Sequence, residues 1–134
     1  MGSHEDTKML RPVQLEAIAR KVIDCGYRIH RDLGPGLLES AYEALLEAVL
    51  IQAGLSVQRQ VAIRMNYNGV VVDNAFKIDL LVGQCLIVEL KSIERLAPVH
   101  GKQVLTYLRL MDLPLGLLMN FWSSHFQGWP QPRG

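Results

Sequence analysis

FKIDLLVGQCLIVELKS, residues 76–92, is the stretch whose reading decides the fold. Its runs of Leu, Ile and Val predict two buried strands, Ala75–Val82 and Cys85–Lys91, joined through Gly83–Gln84. Asp79, Glu89 and Lys91 interrupt the apolar runs. Ionised side chains rarely enter such strands unless they are paired or bind a metal. Glu89 and Lys91 are two apart, so a strand points them to one face, and a tight hairpin brings Asp79 beside them. Two acids and a base converging this way make either a divalent-metal site with a cation next to it or a buried ion pair that closes the sheet. Buried ion pairs are a poor route to stability, which favours neither reading outright.

Working outward, Ser56–Tyr67 alternates apolar and polar residues and predicts a half-exposed strand. Asn68-Gly69 is a strong hairpin signal, so the chain from Val70 is expected to return antiparallel, with Asp73-Asn74 as a bulge or break. Upstream, Ile18, Val22, Cys25, Ile29 and Leu33 form one helical stripe after Pro12, ended by Gly34-Pro35-Gly36. A second helix is expected from Leu37 to Ala53, with Leu45, Leu46, Val49 and Leu50 inward. Downstream, Val99–Met111 reads as a third helix and Leu115–Phe121 as a last buried strand. The tail, with Gly128, Pro130 and Pro132, reads as loop. The order α, α, β, β, β, α, β predicts an α/β fold: a central mixed sheet of about four strands flanked by helices.

The chain of 134 residues is the size of one domain, and 49% hydrophobic with 20% charged residues is ordinary globular composition. No apolar run nears the roughly 20 residues that span a bilayer, so no membrane partner is expected. MGSHEDTKM has no apolar run of the secretory kind, and Cys25 and Cys85 read as free buried thiols; both point to the cytoplasm. Residues 1–11 are expected to be a disordered N-terminus or an expression scar, and residues 12–134 a single domain. Net charge is +1, from 14 Lys and Arg against 13 Asp and Glu, which does not advertise nucleic-acid binding. A locally basic cleft in a neutral protein remains open.

Two helical constellations can cover the acidic strands. Glu39 and Tyr42 are three apart on the second helix and share a face that Glu43 borders. An acid at a helix start is also simply favoured by the dipole. His100, Gln103 and Tyr107 lie on one stripe of the third helix, either as contacts for a phosphate or as a half-exposed polar edge. His30 is expected to cap or pack at the end of the first helix. His4 and His125 have no assigned chemistry, and Trp122 and Trp129 either stack bases or pack on the domain.

Taken in order, Gly36-x-x-Glu39-x-x-Tyr42, Asp79…Glu89-x-Lys91 and Gln103-x-x-x-Tyr107 resemble the GxxExxY family, a branch of the PD-(D/E)XK nuclease superfamily with a RecB-like QxxxY element. The resemblance runs from about Ala17 to Phe121. It implies a restriction-endonuclease-like core and a Mg²⁺- or Mn²⁺-dependent phosphodiesterase, a deoxyribonuclease. Asp79 and Glu89 would bind the ion, helped by the backbone carbonyl of Leu90, with Glu39 binding directly or through water. Lys91 would orient or activate the attacking water. Gln103 and Tyr107 would contact the site and the DNA strand, with Tyr42 and His100 beside them. One departure is Ile78, where the superfamily's name has Pro. Physics agrees with the assignment, since Mg²⁺ takes one or two carboxylates plus waters and substrate phosphate. Without a metal, clustered acids raise one another's pKa values.

So small a core leaves no insertion to read sequence, so single strands, ends or branched DNA are the expected substrates. The alternative is a nuclease-fold module that binds nucleic acid or a protein partner without cutting. A homodimer is expected, through the exposed side of Val57–Met65 and Val70–Val72 or through the first helix.

Overall fold

The computed structural model describes residues 12–122 and 127–133. The expectations for residues 1–11, His4, His125 and the Trp129 side chain lie outside what is described. In chain order the elements are α1 (Pro12–Leu33), α2 (Glu39–Gln52), β1 (Val57–Tyr67), β2 (Val70–Val82), β3 (Leu86–Lys91), α3 (Pro98–Met111), β4 (Leu115–Asn120) and β5 (Gln127–Pro132). The strands form one mixed sheet in the order β1-β2-β3-β4-β5. Only β3 and β4 are parallel, and α3 makes the crossover between them.

Strand β3 is buried from Leu86 to Leu90, because helices cover both faces of the sheet. On one face Val22 and Ile29 of α1, with Tyr42, Leu46 and Leu50 of α2, pack on Leu80, Val82, Leu86, Val88 and Leu90. On the other, Val104, Tyr107 and Leu108 of α3 pack on Ile78, Leu81 and Ile87. This two-faced burial explains why the segment reads as nearly continuous Leu, Ile and Val.

The Asn68-Gly69 turn forms as expected, both residues having positive φ (51° and 80°), with the Gly69 N–H donating to Asn66 Oδ1 at 3.1 Å. Strand β2 does run the full length from Val70, and its register with β1 shifts between Ile63 and Met65, opposite Asp73–Ala75. Asn74 there has φ of 55°.

Three details correct the sequence reading, and His30 agrees with it. The tail is not all loop: Gln127–Pro132 is a fifth strand, antiparallel to β4. Its prolines fit because it lies at the sheet edge, where a missing N–H breaks no inner ladder. Helix α2 begins at Glu39, since Leu38 is extended (ψ 149°), and its buried face is Tyr42, Glu43, Leu46 and Leu50, leaving Leu45 at the surface. Leu33, expected to face inward, is exposed, and the inward stripe of α1 starts instead at Leu15 and Ala19. His30 packs, 5% exposed, with its ring 6.2 Å from that of Phe121.

Gly116 marks the closest approach of α3 to the sheet. A Cβ at this position would lie 2.7 Å from Val104 Cγ1 and 3.4 Å from the Ile87 carbonyl oxygen. Val104 is buried and stiff at χ1, so it cannot swing aside cheaply. Gly116→Ala should therefore lose about 1–3 kcal/mol in denaturant unfolding, and adding Val104→Ala should return part of that loss.

Candidate active site

The ladder between β2 and β3 has three residue pairs, ending at Leu80↔Val88. The next residues on each strand are Asp79 and Glu89, and their side chains take over where the backbone ladder stops. The Asp79 N–H donates to Glu89 Oε2 at 2.7 Å, and the Leu90 N–H donates to Asp79 Oδ2 at 2.8 Å. Each carboxylate thus holds the other strand's backbone, and the two acids expected to meet do so.

Helices on both faces reach this point. From α2, Glu43 is 4% exposed and lies close enough to act on both Asp79 and Glu89. Glu39, one turn earlier, is exposed and accepts from the Ser92 N–H at 3.2 Å; it too acts on Asp79. From α3, Tyr107 is stacked on Phe76 with ring centroids 4.2 Å apart, near enough to Glu89 and Asp79 for their charges to act on its hydroxyl. Lys91 is half-buried at the end of β3 and favours the charged form of both acids. Among the described residues it has no salt-bridge partner.

Burial dominates the electrostatics. It pushes the Glu89 carboxyl up to about 8, assisted by the Asp79 charge, against the opposing pull of the backbone hydrogen bond and Lys91. Burial also raises Asp79, against the Leu90 N–H, while Glu43 adds to the rise. Tyr107 is raised for the same reason, burial first and then the two carboxylates.

Two expected contacts are placed elsewhere. Tyr42 is fully buried, stacked on Phe121 at 4.4 Å, and its hydroxyl donates to the Gly34 carbonyl at 2.5 Å while accepting the Leu37 N–H at 3.3 Å. It holds the α1–α2 turn and is not a substrate contact. His100 Nδ1 accepts the Ala97 N–H at 2.9 Å, which makes it a cap of α3. Gln103 is exposed on the same helix.

Three residues of the cluster escaped the sequence reading. Glu43 was placed at the border of the site face, yet it is the α2 acid that acts on both Asp79 and Glu89. Arg59 Nε donates to Glu43 Oε1 at 2.7 Å, and Arg59 Nη2 to the Ser40 carbonyl at 3.1 Å. Gln60 Nε2 donates to both Glu43 oxygens, at 2.8 and 3.0 Å, and to Asp79 Oδ1 at 3.4 Å. The legible turn could not locate Arg59 and Gln60, because the register it sets shifts by two residues at the bulge before Arg59 comes opposite Leu80. Asn120 is a further hidden member. Buried at the end of β4, it accepts from the Ile93 N–H at 3.2 Å and donates to the Ile93 carbonyl at 2.9 Å, fixing the chain just past Lys91.

The donors around Asp79 and Glu89 are oxygens, as Mg²⁺ or Mn²⁺ requires. Among the described residues no three acids, histidines or cysteines gather closely enough to hold an ion by themselves. A site of two carboxylates still fits Mg²⁺, which keeps several waters and takes up substrate phosphate. A cavity of about 480 Å³ lies along α1 between Val13 and Arg28, away from Asp79 and Glu89. The chemistry therefore does not coincide with that cavity.

The family model described as the PD-(D/E)XK nuclease superfamily matches residues 16–131. Comparison with curated proteins gave no match. Among solved structures, the crystal structure of SSO0001 is similar at 16% identity, covering 88% of this chain and 77% of that chain with a TM-score of 0.48. A likeness of that size carries no argument about activity.

The raised Glu89 carboxyl sets a pH dependence. Between about 4.5 and about 8 the folded protein holds a proton that the unfolded chain has released, so metal-free stability falls as pH rises through that window. Denaturant unfolding in chelator should show a decline of about 2–5 kcal/mol across it. Glu89→Gln should flatten the slope and be at least as stable as wild type above pH 8. A loss of several kcal/mol in that variant would instead make the cluster a structural bridge.

Proposed function

The chain belongs to the PD-(D/E)XK nuclease superfamily, and from that premise we propose that it is a Mg²⁺- or Mn²⁺-dependent nuclease hydrolysing DNA phosphodiester bonds. The observation that carries the reading is the pair of carboxylates crossed between β2 and β3, with burial pushing the Glu89 carboxyl up. Three hydrogen-bonded backbone pairs already join these strands, and apolar side chains would close their ends more cheaply. A desolvated acid pair beside a lysine with no salt-bridge partner among the described residues is better explained by use.

The roles follow the chain's own geometry. Asp79 and Glu89 are the carboxylates that would hold the ion, with the Leu90 carbonyl, and Glu39 or Glu43 reaching it directly or through water. A divalent ion held here supplies a Lewis acid and a source of nucleophile at neutral pH. Lys91 orients the attacking water and steadies charge on the scissile phosphate. Tyr107, close to both acids, and Gln103, one turn earlier on the exposed side of α3, line the path of a DNA strand. This assignment places the chain in the GxxExxY branch, with Gln103 and Tyr107 as its QxxxY element. The loops among the described residues are short and offer no insertion to read a base sequence, so single strands, ends or branched DNA are the proposed substrates. Residues 12–134 act as one domain in the cytoplasm. No described helix is long and apolar enough to cross a membrane.

The test is cleavage of single-stranded, nicked and branched DNA with Mg²⁺ or Mn²⁺, wild type beside Glu89→Ala and Lys91→Ala. Each variant should lose about 10²-fold or more in rate, the scale of removing one group that stabilises transition-state charge. Wild type that binds these DNAs and cuts none of them would favour a non-cleaving nuclease-fold module. A second measurement concerns assembly. Tyr67, Val70, Val71 and Val72 are exposed at the end of the β1–β2 hairpin, and we expect them to contribute to a homodimer. Light scattering should give about twice the 15.1 kDa chain mass, and a monomer at high micromolar concentration would exclude the dimer.

A further inference from the structure

Gln60 is a glutamine with φ of 53° in the middle of a strand. On its N-terminal side Val57 packs into the α1–α2 core, and on its C-terminal side Val61 and Ile63 pack into the α3 core. The strand therefore turns over at Gln60, and the partners of its neighbours, Leu80 and Ile78, also pack into different cores. A left-handed conformation in a long side chain is strained, and glycine would adopt it freely. What the glutamine gains is its amide, placed between Glu43 and Asp79.

We propose that Gln60 is a positioning residue of the metal site: in the metal-free protein its amide stands between Glu43 and Asp79 in the place a divalent cation takes, and cation loading displaces it. This rests on the metal-dependent reading of the site. The oxygens show which contacts can open. Asp79 Oδ2 is held by the Leu90 N–H, and Glu43 Oε1 by Arg59. Glu43 Oε2 and Asp79 Oδ1 have only the Gln60 amide as a hydrogen-bond partner among the described residues. The backbone donor is fixed by the sheet, whereas the amide is on a side chain that can rotate away. When it does, one oxygen from each acid is released toward the same point. The amide's two N–H groups thus do for the acids, without charge, what a cation does with charge: they offset repulsion and set the spacing. This also accounts for the absence of a ready three-ligand group among the described residues.

The test uses Mn²⁺ alone, with no nucleic acid. Gln60→Gly keeps the left-handed backbone at ease and removes the amide, so misfolding is avoided. Its Mn²⁺ affinity, by calorimetry or paramagnetic resonance, should be about tenfold higher than wild type, the scale on which groups around a metal's ligands tune its affinity. Its metal-free stability should fall, because the two acids lose the group between them. A purely structural residue would not move these two quantities in opposite directions. In ¹⁵N-labelled wild type, the side-chain NH₂ resonance missing from Gln60→Gly should shift when diamagnetic Mg²⁺ is added. Unchanged or weaker Mn²⁺ binding in a folded Gln60→Gly, or an NH₂ resonance unmoved at saturating Mg²⁺, overturns the inference while leaving the nuclease reading intact. Wild type that binds no Mn²⁺ overturns the metal-dependent reading itself, and the inference with it.

Discussion

The exchange of hydrogen bonds between Asp79 and Glu89 is the constraint on which the rest of the molecule depends. Two strands that stayed paired to their ends would bury no oxygen ligand and expose none. Here the backbone ladder stops one residue early, and each carboxylate accepts an N–H of the opposite strand. Each bond also satisfies a backbone N–H that the end of the ladder would otherwise leave without a partner, so the junction stays closed although it is built from acids. It also fixes the orientation of both carboxyl groups.

The surroundings follow from that junction. Holding two acids in a low-dielectric end of the sheet demands opposite charge or donors nearby. Lys91 provides one from the same strand, and Arg59 and Gln60 provide others from β1 through Glu43. Asn120 then secures the chain that leaves β3, with both its carbonyl and its amide on Ile93. Apolar packing settles where the helices lie; these polar contacts settle where their functional ends point.

What was legible in the sequence, and what was not, divides along the same line. The apolar run from Ile78 to Leu90 and the Asn68-Gly69 turn are local signals, and both strands and the hairpin followed from them. Asp79, Glu89 and Lys91 stood out because charge in an apolar strand violates burial rules. Gln60 violates no sequence rule: its left-handed backbone is imposed by packing on two different faces, which periodicity cannot reveal. Tyr42 was misread because one helical face carries both core and site residues, and only Phe121, nearly eighty residues later, decides which Tyr42 is. Strand β5 was missed because its two prolines argue against any inner strand, while an outer one tolerates them.

Those prolines give the sheet a direction. The Arg133 N–H donates to the Pro114 carbonyl, so donors of the same parity in β5 face β4, and positions 128, 130 and 132 face outward. The last two are proline and offer no N–H, which leaves Gly128 as the outward donor of this strand. At the opposite edge the eleven residues of β1 include no proline. Two of the three outward positions on β5 thus have no donor for a strand from another molecule, which makes the β5 edge a poor template for strand addition.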